Sequence, residues 1–585
     1  MIDVDTLVED LYPDVRKKDN PVFKATLGLL KKLLHQDEIN EFIETNRHLE
    51  GLEFVDAVLD HFDFSFRVSS RDRLNIPSEG RVIIVANHPL GSLDSLALLK
   101  MVSDIRSDVR IVTTTVLDHV EPLKSLFLSI DNLSKKASHL TNMRRIVSAL
   151  ESEQAVIMFP TGGVSRIRAN GVRDGKWKTG FLRLARKTES PILPVHISAK
   201  NSAMYYGLSS LFKPLGVVLL ANEMFKKHDT EISFRIGKPV PWESIQSLGL
   251  PRAKVAKRMR KQVYCLGKKK KQALFKTIEN VVHPAKSKLI RNELKESKLI
   301  GSTQDGKHIY LFDYQSNSAV MREIGRLREL SFRAVREGTG NALDIDSYDR
   351  YYRHLILWDE DELEIVGAYR IGEAQNIIDS QGVEGLYTHT LFKFDKEFEG
   401  YLDNAIELGR SFIQPRYWGK RSLDYLWFGI GAYLQQHPEI KYMYGPVSLS
   451  ASYPAKAREH IADFYGELFG CKQRLVRSRI PYEFKRSDLF SEFRQVEAES
   501  DYKKAYGILK DKLDELGVRV PTLYKQYTEL CHPGGCRFLD FNVDPDFSDV
   551  IDAMILVSID QVKDKKRQRY IESHDPERKR IGHAA

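Results

Sequence analysis

Apolar residues along this chain change their period several times, and each change marks a predicted element. Between Pro21 and Phe62 they recur at helical spacing, as in Leu27, Leu30, Leu33 and Leu34, which predicts a helical N-terminal appendage with one apolar face. Such a face can join a core, cover a lipid tunnel or lie on a bilayer. Short continuous apolar runs follow at Val82 to Ala86, Ala155 to Phe159, Ser190 to Ile197 and Glu231 to Ile236. Their length and their Gly and Pro boundaries predict buried strands of an α/β body. A second α/β unit begins near Ile300. Its amphipathic helix, Met321 to Arg333, precedes a polar loop, Glu337 to Asp349, and two strands, Leu355 to Trp358 and Glu364 to Arg370, joined by the charged turn Asp359 to Glu362. A strand over Ile406 to Ile413 then leads through a basic, Gly-containing loop into a helix, Leu423 to Leu434. The expected fold class is α/β, with an appendage over 1–78, one α/β domain over 79–250, a connector over 251–299 and a second α/β domain over 300–585.

Bulk composition narrows the class. The 585 residues, 42% hydrophobic and 29% charged, describe a folded multidomain chain rather than a disordered one. The start, Met1-Ile2-Asp3-Val4-Asp5, carries acid where a secretory signal carries base, so no signal peptide is expected. The most apolar stretch, Ser202 to Ala221, is cut by Lys213-Pro214, which argues against a membrane span. Four cysteines form no disulfide framework and point to a reducing compartment; Cys531-His532-Pro533-Gly534-Gly535-Cys536 lacks a second ligand pair and reads as a turn, so no metal is expected. The net charge of +9 is concentrated between Arg252 and Lys276, where no acid interrupts the Lys and Arg residues. A run of this kind suits a solvated helix face or an anionic membrane surface, and no nucleic-acid motif accompanies it.

The chemistry concentrates at strand exits. In Val85-Ala86-Asn87-His88-Pro89-Leu90-Gly91-Ser92-Leu93-Asp94, the turn residues project His88 beyond the strand and place Asp94 in the first turn of a helix. A carboxylate on one ring nitrogen fixes the tautomer and leaves the other free to take a proton from a hydroxyl. A second exit, Pro160-Thr161-Gly162-Gly163-Val164-Ser165-Arg166, offers two glycines whose N–H groups can approach an anion and a permanent cation. With the strand Ser190 to Ile197, these blocks resemble the ordered motifs of the glycerolipid (1-acylglycerol-3-phosphate) acyltransferase superfamily over Val82 to Trp242. The departures are definite: the His88-to-Asp94 spacing is one residue longer than the family's usual one, Thr161 stands where the family has Glu, and Ser129-Ile130-Asp131-Asn132 lacks the family's Arg. They leave the acceptor open. His88 and Asp94 are the expected catalytic pair, with Asn87, Gly162, Gly163 and Arg166 as substrate-binding residues and His196 as a strand-face histidine.

In the second half, Glu407-Leu408-Gly409-Arg410-Ser411-Phe412 and Arg416-Tyr417-Trp418-Gly419-Lys420-Arg421 follow the helix and hairpin. They resemble the GNAT N-acyltransferase superfamily, in particular the branch that takes fatty acyl groups from acyl carrier protein. Arg421 replaces the usual small residue of the phosphate loop, which favours a carrier-protein phosphopantetheine over acetyl-CoA. Glu407 is the expected base, Arg410 a substrate-binding residue, and Arg416, Gly419, Lys420 and Arg421 the ligands of the donor phosphate. The order of the halves resembles the bifunctional ornithine lipid synthases, whose relatives are labelled putative hemolysins. That resemblance implies N-acylation of ornithine by the second half, then O-acylation of the 3-hydroxyl of the lyso-lipid by the first. It also implies acyl carrier protein, an amino acid and a membrane surface as partners, no cofactor beyond the thioester donor (carrier protein or CoA), and a cytoplasmic location on the inner face of the membrane. A glycine or glutamine lipid synthase and a lysophospholipid acyltransferase with a regulatory GNAT half remain as alternatives.

Overall fold

The computed structural model of the chain describes residues 28, 31–32, 34–114, 120–130, 136–168, 171–211, 215–268, 273–484, 490 and 499–574. Most of the expected helix between Pro21 and Leu33, part of the Ser129 to Asn132 motif, Lys213-Pro214 and Lys269 to Lys271 lie outside them. The chain divides into two compact units, Met1–His283 and Pro284–Ala585.

In the first unit the described strands are β1 (Phe64–Arg67), β2 (Val82–Ala86), β3 (Val109–Thr114), β4 (Phe127–Ile130), β5 (Ala155–Met158), β6 (Arg166–Arg168), β7 (Gly171–Arg173), β8 (Ile192–Ser198) and β9 (Thr230–Ile236). Seven of them form a sheet of order β1-β9-β8-β2-β5-β3-β4, parallel except for β8 against β9. The sequence of β2, Val-Ile-Ile-Val-Ala, explains its central place: β-branched side chains suit the pleat, and every residue is buried. Ile84 and Ala86 pack with the helix Leu93–Ser103 on one face, while Ile83 and Val85 pack with the helices Gly180–Thr188 and Arg252–Leu266 on the other. Each such burial contributes about 1.5–3 kcal/mol, so the sheet has covered faces on both sides. The apolar face of Leu52–His61 is core, through Phe54, Val55 and Leu59.

The basic segment expected to be a connector holds the helix Arg252–Leu266, and that helix belongs to the first unit's core through Val255, Ala256, Met259 and Val263. Two of its cations are used internally. Arg258 Nε donates to the Leu274 carbonyl, and Arg260 donates to the carbonyls of Asp174 and Gly175. Lys254, Lys257, Lys261 and Lys268 remain exposed.

The second unit is built on β10 (Lys298–Ser302), β11 (His308–Asp313), β12 (Arg353–Asp359), β13 (Glu364–Glu373), β14 (Phe392–Phe394), β15 (Ala405–Ile413), β16 (Tyr442–Leu449), β17 (Val476–Ser478), β18 (Cys536–Asp544) and β19 (Val550–Ser558). Its main sheet has the order β10-β11-β12-β13-β15-β16-β19-β18, and β15 with β16 is the parallel pair. The expected hairpin is β12–β13, and the expected amphipathic helix spans Ala319–Ala334. Ile406 and Leu408 share one cluster with the helices Ser422–Gln436 and Ala455–Leu468, whereas Phe412 and Ala368 share another with Ala319–Ala334. The parallel pairing stops early: it runs from Ala405 opposite Tyr442 to Glu407 opposite Tyr444, after which β15 continues beside β13 and β16 beside β19. The sheet therefore opens at its centre.

Close approach at one glycine gives a stability test. In the helix Ser422–Gln436 a Cβ on Gly431 would lie 1.9 Å from the Tyr570 carbonyl oxygen, so backbone would have to move. Gly431→Ala is expected to destabilise the second unit by about 1–3 kcal/mol despite the better helix propensity of Ala. An unchanged urea-unfolding midpoint for that unit would contradict this packing.

Candidate active sites

Because β2 and β5 are adjacent and parallel, their C-terminal exits open side by side, where ligands of such sheets bind. His88 leaves β2 and stacks on Phe159 at the end of β5, with ring centroids 4.1 Å apart. Its Nδ1 lies 3.2 Å from Asp94 Oδ2, so the longer spacing still closes the pair. Asp94 is fully buried and also accepts from the N–H groups of Leu90 and Gly91, both at 2.9 Å. One carboxylate thus folds the turn and aims the imidazole. Gly91, at φ +114°, adopts a conformation open to glycine, and a Cβ there would press on Leu220 at 3.2 Å. Burial pushes the His88 pKa down, but Asp94, by charge and hydrogen bond, and Asp174, by charge, outweigh it, so the imidazole titrates above its ordinary value. His196 is pushed down to about 4 by burial and Arg173, which leaves it neutral beside Tyr264.

Asp174 was not legible as a site residue. It is fully buried and takes the His88 backbone N–H at 3.2 Å, the Ser165 hydroxyl at 2.5 Å and the Trp177 indole N–H at 2.8 Å. The two exits are therefore tied together, and the Ser165 N–H donates to the His88 carbonyl at 2.7 Å. Asn87, expected to bind substrate, instead uses both ends of its amide on the backbone of Ile197, at 2.9 and 2.8 Å. It locks β2 to β8. Gly162 has φ +65° and Lys178 Nζ 2.9 Å from where its Cβ would lie, while Gly163 has open space. Arg166 opens the β6–β7 hairpin, and Ile167 beside it is 62% exposed.

In the second unit Glu407 is 1% exposed and already saturated with donors: Tyr352 Oη at 2.6 Å, the Thr388 N–H at 2.7 Å and Tyr444 Oη at 3.5 Å. Burial raises its pKa against those hydrogen bonds. Its carboxylate, expected to act as the base, is thus engaged by tyrosines and backbone. Arg410 sits at a bulge in β15 with φ +48°, its guanidinium between the rings of Tyr387 and Phe547 and near Asp344 and Asp346 at 3.7 and 3.4 Å.

Of the residues expected to bind the donor phosphate, Arg416, Lys420 and Arg421 line a cleft of about 450 Å³ together with Lys307 and Ser422, which the sequence did not single out, and with the carboxylates of Asp305, Asp359 and Glu362. Gly419, at φ +75°, turns the chain into the helix Ser422–Gln436, whose first N–H groups lack intrahelical acceptors. Lys420 lies over the Tyr417 ring, and Arg421 is 3.5 Å from Asp424. Arg416 is held by Glu362 and Glu364, both at 2.9 Å, so its charge is partly spent within the protein. An anion in this cleft would compete with those carboxylates.

Two candidate sites of different construction are thus carried on one chain. A family model described as Acyltransferase matches residues 14–273, and one described as Acetyltransferase (GNAT) domain matches residues 327–428. A glycine N(alpha)-acyltransferase of Bacteroides thetaiotaomicron is 34% identical over 314 residues, covering 51% of this chain and 92% of that protein. A lyso-glycine lipid O-acyltransferase of the same organism is 32% identical over 259 residues, covering 43% of this chain and 92% of that protein. An L-ornithine N(alpha)-acyltransferase of Brucella abortus is 28% identical over 143 residues, covering 22% of this chain and 50% of that protein. The chain belongs to these acyltransferase families, joining an acyltransferase domain to a GNAT domain.

The Asp94 charge holds the imidazolium form of His88, and a base must be neutral to act. Asp94→Asn should therefore lower the His88 pKa and move the acidic limb of O-acylation to lower pH. The maximal rate should fall by ~10^2- to 10^4-fold through loss of ring orientation. A pH–rate profile of the purified variant checks both, and an acidic limb that stayed in place would contradict the pairing.

Proposed function

We propose that the chain is a bifunctional aminolipid synthase. The observation that carries this reading is the fusion itself. Two relatives from one organism, one named for N-acylation of glycine and one for O-acylation of lyso-glycine lipid, are each covered over 92% of their length by about half of this chain. In the second half an α-amino acid attacks a 3-hydroxyacyl thioester, and the amide product carries the hydroxyl that the first half esterifies. Glycine is favoured over ornithine as acceptor, because the glycine-named relative is matched over 51% of the chain and the ornithine-named one over 22%.

In the first half His88 takes the proton of the 3-hydroxyl as the oxygen attacks the second thioester, and Asp94 orients the ring. The loop amides at Gly162 and Gly163, with Arg166 and Lys178, receive either the acceptor carboxylate or the donor phosphate. The lyso-lipid stays in the bilayer, since each buried CH2 contributes about 0.8 kcal/mol. Ile167 between Arg166 and Arg168 gives this half an apolar tip with flanking cations suited to an anionic lipid surface. Among the described residues no helix is long and apolar enough to cross a membrane.

In the second half the opening between β15 and β16 would receive the thioester, with its phosphate at Gly419 to Ser422, Lys420, Arg421 and Lys307. The exposed cations of that rim suit an acidic carrier protein as donor.

Expression in cells lacking aminolipids, with lipid profiling by mass spectrometry, tests the reading. The chain should produce a diacylated amino-acid lipid, and His88→Ala should accumulate the mono-acylated amide instead. Altered phosphatidic acid turnover with no new amino-acid lipid would favour a phospholipid acyltransferase whose GNAT half is regulatory.

A further inference from the structure

The Glu407 carboxylate is engaged by tyrosines and backbone, and another buried carboxylate lies at the open end of the central sheet. Beyond Glu407 and Tyr444, where β15 and β16 part, Ser448 stands on β16 directly opposite Asp552 on β19. The Ser448 hydroxyl donates to Asp552 Oδ1 at 2.6 Å, and Asp552 is 3% exposed. Glu337 follows the helix Ala319–Ala334 and lies within electrostatic reach of Asp552. Two hydrogen bonds bring that segment to the same place. Ser450, just past β16, donates to the Val335 carbonyl at 2.9 Å, and Ser548, in the β18–β19 turn, donates to the Gly338 carbonyl at 3.0 Å.

We propose that Asp552 is the base that takes the proton from the acceptor's ammonium group, with Glu337 as the positioning residue beside it and Arg410 as the cation that holds the acceptor's carboxylate. This assignment rests on the amide-forming reaction proposed above. On the β15 side Arg410 faces Asp344 and Asp346 at 3.7 and 3.4 Å, so an acceptor's carboxylate would compete with them for the guanidinium, while Asp552 and Glu337 on the β16 side suit the ammonium of an α-amino acid. The site also has unmet hydrogen-bonding capacity. Arg410 Nε and, on a residue 3% exposed, Asp344 Oδ2 have no hydrogen-bond partner among the described residues. Buried polar groups left in that state call for a polar ligand.

Asp552 accepts one proton from the ammonium, and the freed amine attacks the thioester carbonyl. The C–N bond forms, the C–S bond breaks, and the second N–H proton leaves with the thiol. The product is a secondary amide, a free thiol and a protonated carboxyl that returns its proton to solvent.

The electrostatic setting suits that task. Burial raises the Asp552 pKa to about 7, with Asp544 adding to the rise and the Ser448 hydroxyl and Arg410 opposing it. Burial, then Asp552, raises Glu337 to about 7 as well. Tyr387 and Tyr524 complete the groups that feel the Asp552 charge. A carboxylate poised near neutrality is a far better acceptor for an ammonium proton than one at its ordinary value.

Amide formation by the purified full chain, measured as kcat against pH with saturating glycine and 3-hydroxyacyl carrier protein, tests the assignment. The wild-type rate should rise with pH through about 7. Asp552→Asn should remove that limb and lower kcat by ~10^2-fold or more, with an unchanged urea-unfolding midpoint of the second unit as the control for folding. Glu337→Gln removes a neighbouring negative charge and should move the limb to lower pH. Ser448→Ala removes a donor to the carboxylate and should move it to higher pH. A folded Asp552→Asn enzyme with wild-type kcat and limb, or limbs unmoved in both other variants, would overturn the assignment while leaving the reaction standing. A wild-type chain that forms no amide from any α-amino acid would overturn the reaction on which it rests.

Discussion

A carboxylate withdrawn from water must find donors, and that requirement shapes both working ends of this chain. In the first half, Asp94 gathers the Leu90 and Gly91 N–H groups and the His88 ring, and Asp174 gathers the His88 N–H, Ser165 and Trp177. Without these bonds the two strand exits would be independent loops. In the second half, Asp349 is held by Arg328 at 2.8 Å, Asp346 by Arg370 at 2.7 Å, and Glu407 by tyrosines and backbone. Carboxylates with a full set of donors are framework. Asp552, which takes the Ser448 hydroxyl, and Glu337 carry a raised affinity for a proton, as does the buried Glu407, and the proposed base is told apart by its place at the sheet opening rather than by that affinity.

The sequence was most informative where the relevant partners are close along the chain. His88 and Asp94 share one turn, the apolar run of β2 declares a buried strand, and the hairpin β12–β13 has a turn of charged residues between two apolar stretches. Those features follow from local periodicity and turn chemistry. What escaped notice depends on distant segments meeting. Asp174 reaches the N–H of His88 across 86 residues, and Ser448 reaches Asp552 across 104. Neither pairing leaves a spacing to read. Glu407 sits where a strand end commonly carries a base, but only the fold shows Tyr352 and Thr388 closing over it. Likewise Arg416 reads as a free phosphate ligand until the hairpin turn brings Glu362 and Glu364 against it. The basic run from Arg252 divides in the same way, into guanidiniums that bind backbone carbonyls and lysines that face water.

In the proposed reaction sequence, joining the two halves has a chemical logic. There the product of the first acylation is the acceptor of the second, and its acyl chain keeps it in the bilayer. A single chain carrying both activities would make the two catalysts in equal amounts and bring both to the membrane that holds the intermediate. The donor sites differ because their tasks differ. An amine needs its proton removed before it can attack, which favours a carboxylate poised near neutrality, whereas a hydroxyl loses its proton during attack, which favours an oriented imidazole.

The central claim is that one chain forms an amide and then an ester on the same molecule. The most direct measurement is a time course with purified full-length protein, vesicles, 3-hydroxyacyl and acyl carrier-protein thioesters and isotope-labelled glycine. Label should enter the mono-acylated amide first and pass, after a lag, into the diacylated lipid, with the amide falling as the diacylated product rises. Label absent from lipid while glycerophospholipid is acylated, or diacylated product formed without passage through the amide, would contradict the account.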